Sequence, residues 1–251
     1  MIVAFKISGP VIRALLALLI LGALGACARP AGSGPNDPYE VQNRATHQGN
    51  IALDKALVRP SANAYGSVLP DPVRESVGNF SRNLSLPGFV VNNILQGDIK
   101  GAGQNGMRFL FNTVFGLGGI LDPASDAGLF AAKTDFGETL YVWGVPEGNF
   151  VVLPVIGPST ERHMVGRVVD LFTNPLINSF PEPEKYYELA ASTASRLGDR
   201  YRFSNTVDSI YYDSADSYAQ ARLLYLQNRR FQLGVSVAEK SDSVFEELYG
   251  N

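Results

Sequence analysis

The chain predicts an all-α, mainly helical fold in a single domain, and three observations carry that expectation. Helix-start chemistry recurs, at Asp37-Pro38-Tyr39-Glu40, at Pro70-Asp71-Pro72 and at Ser159-Thr160, where side-chain oxygens accept orphan N–H groups and proline suits the first turn. Apolar residues return at helical spacing, as with Val73, Val77, Phe80 and Leu84 at i, i+4, i+7 and i+11. Only Gly144–Pro158, with three prolines and three glycines, resists a helix and reads as a hairpin-like irregular loop or short strands.

The N-terminus carries Lys6 and Arg13, then an uncharged run of small and apolar residues from Ala14 to Ala26. That run is too short to span a bilayer and has the basic flank and small-residue end of a secretory signal. It closes on Leu24-Gly25-Ala26-Cys27, which resembles the bacterial lipobox. Residues 1–26 are therefore expected to leave as a signal peptide and Cys27 to be lipidated. One acyl chain, at about 0.8 kcal/mol per buried CH₂, anchors marginally, whereas two or more hold firmly. Ala28, rather than Asp, after the cysteine points to the outer membrane, facing the periplasm. Cys27 is the only cysteine, so no disulfide supports the exported chain.

Residues 27–36 form a lipidated Pro/Gly/Ser spacer, and residues 37–233 the domain. A helix from Asp37 is expected to stop at Val58, before Arg59-Pro60. Its polar first half, Gln42 to Asn50, reads either as an exposed face or as a polar wall along a path. A second helix opens at Pro70-Asp71-Pro72. Leu86-Pro87 starts a short third, Phe89–Leu95, with Gly97 as its C-terminal cap. Asp98–Phe115 follows.

That helix leads into Phe109–Leu121, thirteen residues without a charge, in which only Asn112 and Thr113 are polar. As a helix it would measure about 20 Å against roughly 30 Å of hydrocarbon, so it cannot cross a membrane. It is nevertheless apolar all round, which a water-facing helix is not. Either it is the central helix of a soluble core or it enters one leaflet only. Anchoring at Cys27 favours the leaflet, and Gly116, Gly118 and Gly119 supply the turn that a re-entrant segment needs.

Further on, Asp135 starts a short helix through Trp143, and Ser159-Thr160 caps one through Phe172 that Asn174-Pro175 ends. A long helix from about Pro183 has Tyr186, Ala190, Ala194, Leu197 and Tyr201 on one side. The last runs from about Asp216 to Phe231, before a polar, acidic tail at 234–251.

The chain has 21 Lys+Arg and 24 Asp+Glu. Loss of Lys6 and Arg13 leaves 19 against 24, so nothing neutralises a row of phosphates and nucleic acid is not an expected partner. No cofactor pattern emerges. Gly101–Gly106 matches GxGxxG but follows a helix end rather than a strand. His47 and His163 are the only histidines, too few for a zinc site. Ser159 is more simply a cap than a nucleophile, and no enzyme is expected.

A series of short pieces, in order, resembles the MlaA family, also called VacJ. They begin with Asp37-Pro38-x-Glu40-x-x-Asn43-Arg44, Val58-Arg59-Pro60, Val68-Leu69-Pro70, Asn79-Phe80 and Leu95-Gln96-Gly97. Arg108-Phe109-Leu110-Phe111-Asn112-Thr113 follows, with Gly116-x-Gly118-Gly119. Then come Asp135-Phe136-Gly137-x-Thr139-Leu140, Trp143-Gly144-Val145, Leu153-Pro154-x-x-Gly157-Pro158-Ser159-Thr160 and Tyr225-Leu226-Gln227-x-Arg229. The family's aromatic before the Asn-Arg pair is Gln42 here. Its glycine-rich hairpin holds Pro146, which stiffens a loop whose glycines are Gly144 and Gly148.

The resemblance implies a helical ring seated in one leaflet beside a trimeric porin, with an amphipathic channel. Through it, misplaced phospholipids pass from the outer leaflet to a periplasmic lipid carrier, which maintains lipid asymmetry. Asn43, Arg44, Arg108 and Asn112 are candidates for the polar path, though Arg44 and Arg108 serve equally as structural ion pairs or snorkelling groups. Phe109, Leu110, Phe111, Val114, Phe115 and Leu117 form the expected embedded segment. The alternative is a lipidated assembly factor that braces a porin without moving lipid.

Overall fold

The computed structural model describes residues 37–176, 181–182 and 186–235. The expected signal peptide, Cys27, the spacer and the tail from residue 236 lie outside the described residues. The fold is mainly helical, with one two-stranded sheet.

Helix α1 spans Glu40–Leu53, behind Tyr39 rather than Asp37 at the cap. The Asp37 carboxylate is drawn instead to the buried Asn43 amide, at 2.8 Å, and to the Tyr218 hydroxyl. The expected stop at Val58 does not occur. A widened π turn, Asp54–Val58, continues directly into α2, Arg59–Val68. Pro60 is the second residue of α2, directly behind the π turn.

Helix α3 is a single helix, Asp71–Gln96, that runs through Pro87 instead of restarting there. In the turn that Pro87 disturbs, the Asn174 side chain donates to the Leu84 carbonyl at 3.2 Å. Its buried face is Gly78, Ser81, Asn83, Leu86, Asn92 and Asn93, so the Val73–Leu84 stripe is not the core side and Val73 is exposed. Gly97, at φ 76°, turns the chain, Asp98 caps the Gly101 amide, and α4, Ile99–Phe115, packs back on α3.

After α5, Pro123–Asp126, Asp135 caps α6, Phe136–Val142. Strands β1, Phe150–Leu153, and β2, Gly157–Thr160, pair antiparallel from Phe150↔Thr160 to Leu153↔Gly157. Thr160 then caps α7, Glu161–Thr173. Helix α8, Tyr187–Arg202, packs on α2 and α3 and buries Ala191 and Arg200, while Tyr186 and Ala190 of the expected stripe are exposed. A short α9, Ser204–Asp208, and a second π turn, Ser209–Asp213, lead to α10, Ser217–Gln232, capped by Asp216.

The apolar core is small: Phe150, Val152, Tyr218 and Leu226, with Tyr225 against them. Among the described residues, about twice as many polar or charged side chains as apolar ones are buried, the reverse of a protein dissolved in water. The buried polar groups hold each other. Arg200 grips Asp54 at 2.9 and 2.8 Å, with Tyr212 on the same carboxylate at 2.8 Å. Arg229 grips Asp135 at 2.6 and 2.7 Å.

Candidate functional site

Helix α4 is inverted. Gly101, Ala102, Asn105, Arg108 and Asn112, spaced by three and four, face inward. Met107, Leu110, Val114 and Phe115 face out, and Leu117, Ile120 and Leu121 continue that surface. Leu110 is 59% and Leu117 69% exposed. Phe109 and Phe111 are half-buried, with Phe111 tilted against Phe115 at 4.9 Å. The segment is thus apolar on its outer side and polar within, not apolar all round. Among the described residues no helix is long and apolar enough to cross a membrane.

The turn after α4 is fixed by close approach. Gly119, at φ 96°, lies against Asn83, where an added Cβ would come within 2.5 Å of that side chain. Gly116 is pressed between the Asn112 and Leu121 carbonyls. With Gly118 they hold Leu117 pointing outward at φ 54°, a conformation that leucine seldom adopts.

Behind this outer face lies a cavity of about 530 Å³ between α3, α4 and the 122–133 segment. Its lining is amphipathic: Leu86, Phe89 and Phe130 beside Ser81, Ser85, Asn83 and Asn112, with Arg82, Arg108 and Lys133 as cations. Asn79 and Asp122 also border a second cavity, about 340 Å³, whose other charges, Glu75 and Asp126, are acidic.

Arg108 and Asn112 build the inner wall of the larger cavity. Arg108 bonds Asp122 at 2.5 Å, Ser125 at 3.0 Å and the Leu129 carbonyl. Asn112 donates to Asp122 at 2.8 Å and accepts from the Ala124 amide at 3.0 Å. Burial alone would raise the Asp122 carboxyl, but the bonds from Ser125 and Asn112 and the Arg108 charge outweigh it and hold it below the usual range. Asp122 therefore stays ionised opposite Arg108.

Asn43 and Arg44 sit elsewhere. Asn43 donates to the Phe150 carbonyl at 3.1 Å and accepts from Val152 N–H at 2.8 Å. Seven residues on, Asn50 repeats the pattern with the Leu153 carbonyl, 2.9 Å, and Val155 N–H, 2.7 Å. Two amide side chains thus stand in for a neighbouring strand along the free edge of β1. The polar half of α1 is a clamp on the hairpin. Arg44 lies at the surface, bidentate on Asp216 at 3.0 and 2.9 Å and over the Tyr218 ring at 4.4 Å. Gly144 and Gly148, both at positive φ, border the hairpin.

Residues that sequence reasoning did not single out complete the site. Asn105 joins Asn93, 2.7 Å, to the Ala132 carbonyl, 2.8 Å. Arg82 and Lys133 carry the cavity's remaining positive charge. The available signal was the spacing of Gly101, Asn105, Arg108 and Asn112, which marks one polar face. Among the described residues no group of His, Cys, Asp and Glu could hold a metal ion.

The family model described as MlaA lipoprotein matches residues 35–232. The chain belongs to the MlaA lipoprotein family. An MlaA named as an intermembrane phospholipid transport system lipoprotein, from Escherichia coli K12, is 33% identical over 202 residues, 79% of this chain and 78% of that protein. The MlaA of Haemophilus influenzae is 30% identical over 227 residues, 87% and 89% of the two chains. An uncharacterized protein of Rickettsia bellii is 34% identical over 194 residues, 77% and 75%. A solved structure, described as the structural basis for maintenance of bacterial outer membrane lipid asymmetry, superposes with a TM-score of 0.66 at 29% identity, covering 78% of this chain and 98% of that one. The inverted α4 and the cavity behind it are therefore set in an MlaA fold.

Proposed function

We propose that this protein is a phospholipid conduit of the outer membrane, held by a lipidated Cys27 and by the outer face of α4 in the periplasmic leaflet. It draws misplaced phospholipids from the outer leaflet and passes them to a periplasmic carrier, beside a trimeric porin. The observation that carries this reading is the reversal of polarity across α4: an apolar surface outside, an amphipathic cavity inside. A headgroup costs several kcal/mol or more in hydrocarbon. Serines, asparagines and cations along the cavity lower that cost, while Leu86, Phe89 and Phe130 accommodate acyl chain. The names of the Escherichia coli and Haemophilus influenzae relatives support the same function.

The test fills the cavity. Ala131→Trp, on the cavity wall, is expected to make phospholipid accumulate in the outer leaflet of cells while porin levels stay normal. A failure of porin assembly with lipid asymmetry preserved would favour a bracing role, for which the exposed Val165, Val168, Leu171 and Phe172 of α7 offer a surface.

A further inference from the structure

A separate cavity, about 360 Å³, lies under the hairpin, between the turn after α6, the first turn of α7 and the end of α10. Its size falls within the range of small-ligand sites, about 300–1,000 Å³. Tyr141, Val145, Glu147, Arg162 and Arg230 line it. Arg162 is 6% exposed, the same as Val152 in the apolar core.

Among the described residues, the other arginines buried to this degree each face a carboxylate. Arg108 has Asp122 at 2.5 Å, Arg200 has Asp54 at 2.8 Å, Arg229 has Asp135 at 2.6 Å, and Arg222 has Asp37 at 3.9 Å. Arg162 has none at such distances. It donates to the Val145 carbonyl at 2.9 Å and lies over the Tyr141 ring at 5.0 Å, and its Nε, like those of Arg222 and Arg229, has no hydrogen-bond partner among the described residues. Burial pulls Arg162 below the ordinary arginine value, with Glu147 offsetting only part of this, whereas the paired Arg200 and Arg229 are raised. A buried guanidinium with no carboxylate in bonding distance has N–H donors left to offer an anion from outside.

Two further groups suit a zwitterion. Arg230 brings a second guanidinium and meets Glu147 only at 3.5 Å. Glu147 Oε1 is buried without a partner among the described residues. Next to this cavity Val142 and Trp143 are exposed, and the Trp143 indole donates to the Leu95 carbonyl at 3.1 Å. Exposed tryptophan beside an apolar surface marks headgroup depth.

We propose that this cavity binds the phosphoethanolamine headgroup of a phospholipid, its phosphate on Arg162 and Arg230 and its ammonium on Glu147. The assignment rests on the transport reading above and names the headgroup chemistry. Two guanidiniums match phosphate oxygens with paired N–H donors.

Calorimetric titration of glycerophosphoethanolamine into the detergent-solubilised full lipoprotein tests it. Saturable binding is expected, weakened at least tenfold by Arg162→Gln and several-fold by Arg230→Gln. Glu147→Gln should weaken glycerophosphoethanolamine but leave glycerophosphoglycerol unchanged. Inorganic phosphate should bind at least tenfold more weakly than the glycerol ester. Equal affinity would assign the site to free phosphate and overturn the lipid headgroup. Absence of saturable binding overturns the proposal, as does binding unchanged in Arg162→Gln. If Arg162→Gln unfolds, Arg230→Gln, at a side chain 22% exposed, decides: unchanged binding there overturns the two-arginine grip. If headgroup binding fails while Ala131→Trp still traps phospholipid in the outer leaflet, this site falls and the conduit stands.

Discussion

Replacing Asn43 by alanine tests whether the hairpin depends on side chains of α1. Asn43 is 4% exposed and serves two backbone groups of β1, the Phe150 carbonyl and the Val152 amide, as well as Asp37. Alanine leaves both backbone groups buried without partners. At about 1–3 kcal/mol for each orphaned buried group, the loss lies between about 2 and 6 kcal/mol. Asn50 still holds Leu153 and Val155, so the strand relaxes only at its Phe150 end and a value of about 3 kcal/mol is expected. Urea unfolding measures the total. Hydrogen exchange at the Val152 amide localises it, with protection lost there and retained at Val155. Stability within about 0.5 kcal/mol of the parent, the range of an ordinary surface change, together with unchanged exchange at Val152, would refute the clamp.

Three more outcomes follow from the same geometry. Combined Leu110→Ser, Val114→Ser and Leu117→Asn, in a Cys27→Ser background, alters side chains 59%, 67% and 69% exposed. At about 1–2 kcal/mol for each partly covered side chain, vesicle flotation should weaken about 10²–10⁴-fold, with the melting temperature little changed. His163 is half-buried, and its loss of water together with the charges of Arg229 and Arg167 holds it down to about 4. Because the unfolded chain takes up this proton first, its contribution is full above about pH 6.5 and is lost as pH falls toward 4. His163→Gln should flatten that part of the stability profile, and an unaltered slope in denaturant titrations would contradict the assignment. Arg229→Met strands the Asp135 carboxylate and should cost about 3–5 kcal/mol in thermal or urea unfolding.

Local chemistry was legible where it was local. Asp98, Asp135, Thr160 and Asp216 cap the helices that follow them, and Gly97 and the Gly116–Gly119 turn stand where their residue types require. Prolines misled. Pro60 and Pro87 read as boundaries, yet the helical backbone runs through a π turn into the one and unbroken past the other. Long-range pairing was invisible: nothing near Asn43 announces Phe150, nor does Asp135 announce Arg229. The inversion of α4 was written in the spacing of Asn105, Arg108 and Asn112, but averaged hydropathy over Phe109–Leu121 hides a polar face that lies mostly upstream. Arg162, beside a capping threonine, carried no pattern at all, because its unpaired state depends on what the fold leaves out.

The most direct measurement of the central claim is depth. Spin labels placed one at a time at positions 110, 114 and 117 of the full-length protein in a bilayer, with controls at the exposed Val41 of α1 and Leu57 of the π turn that follows it, report access to oxygen and to a water-soluble nickel complex. The account predicts oxygen-rich, nickel-poor environments at the three α4 sites and the opposite at the controls. Nickel access at 110, 114 and 117 equal to that at the controls would contradict it.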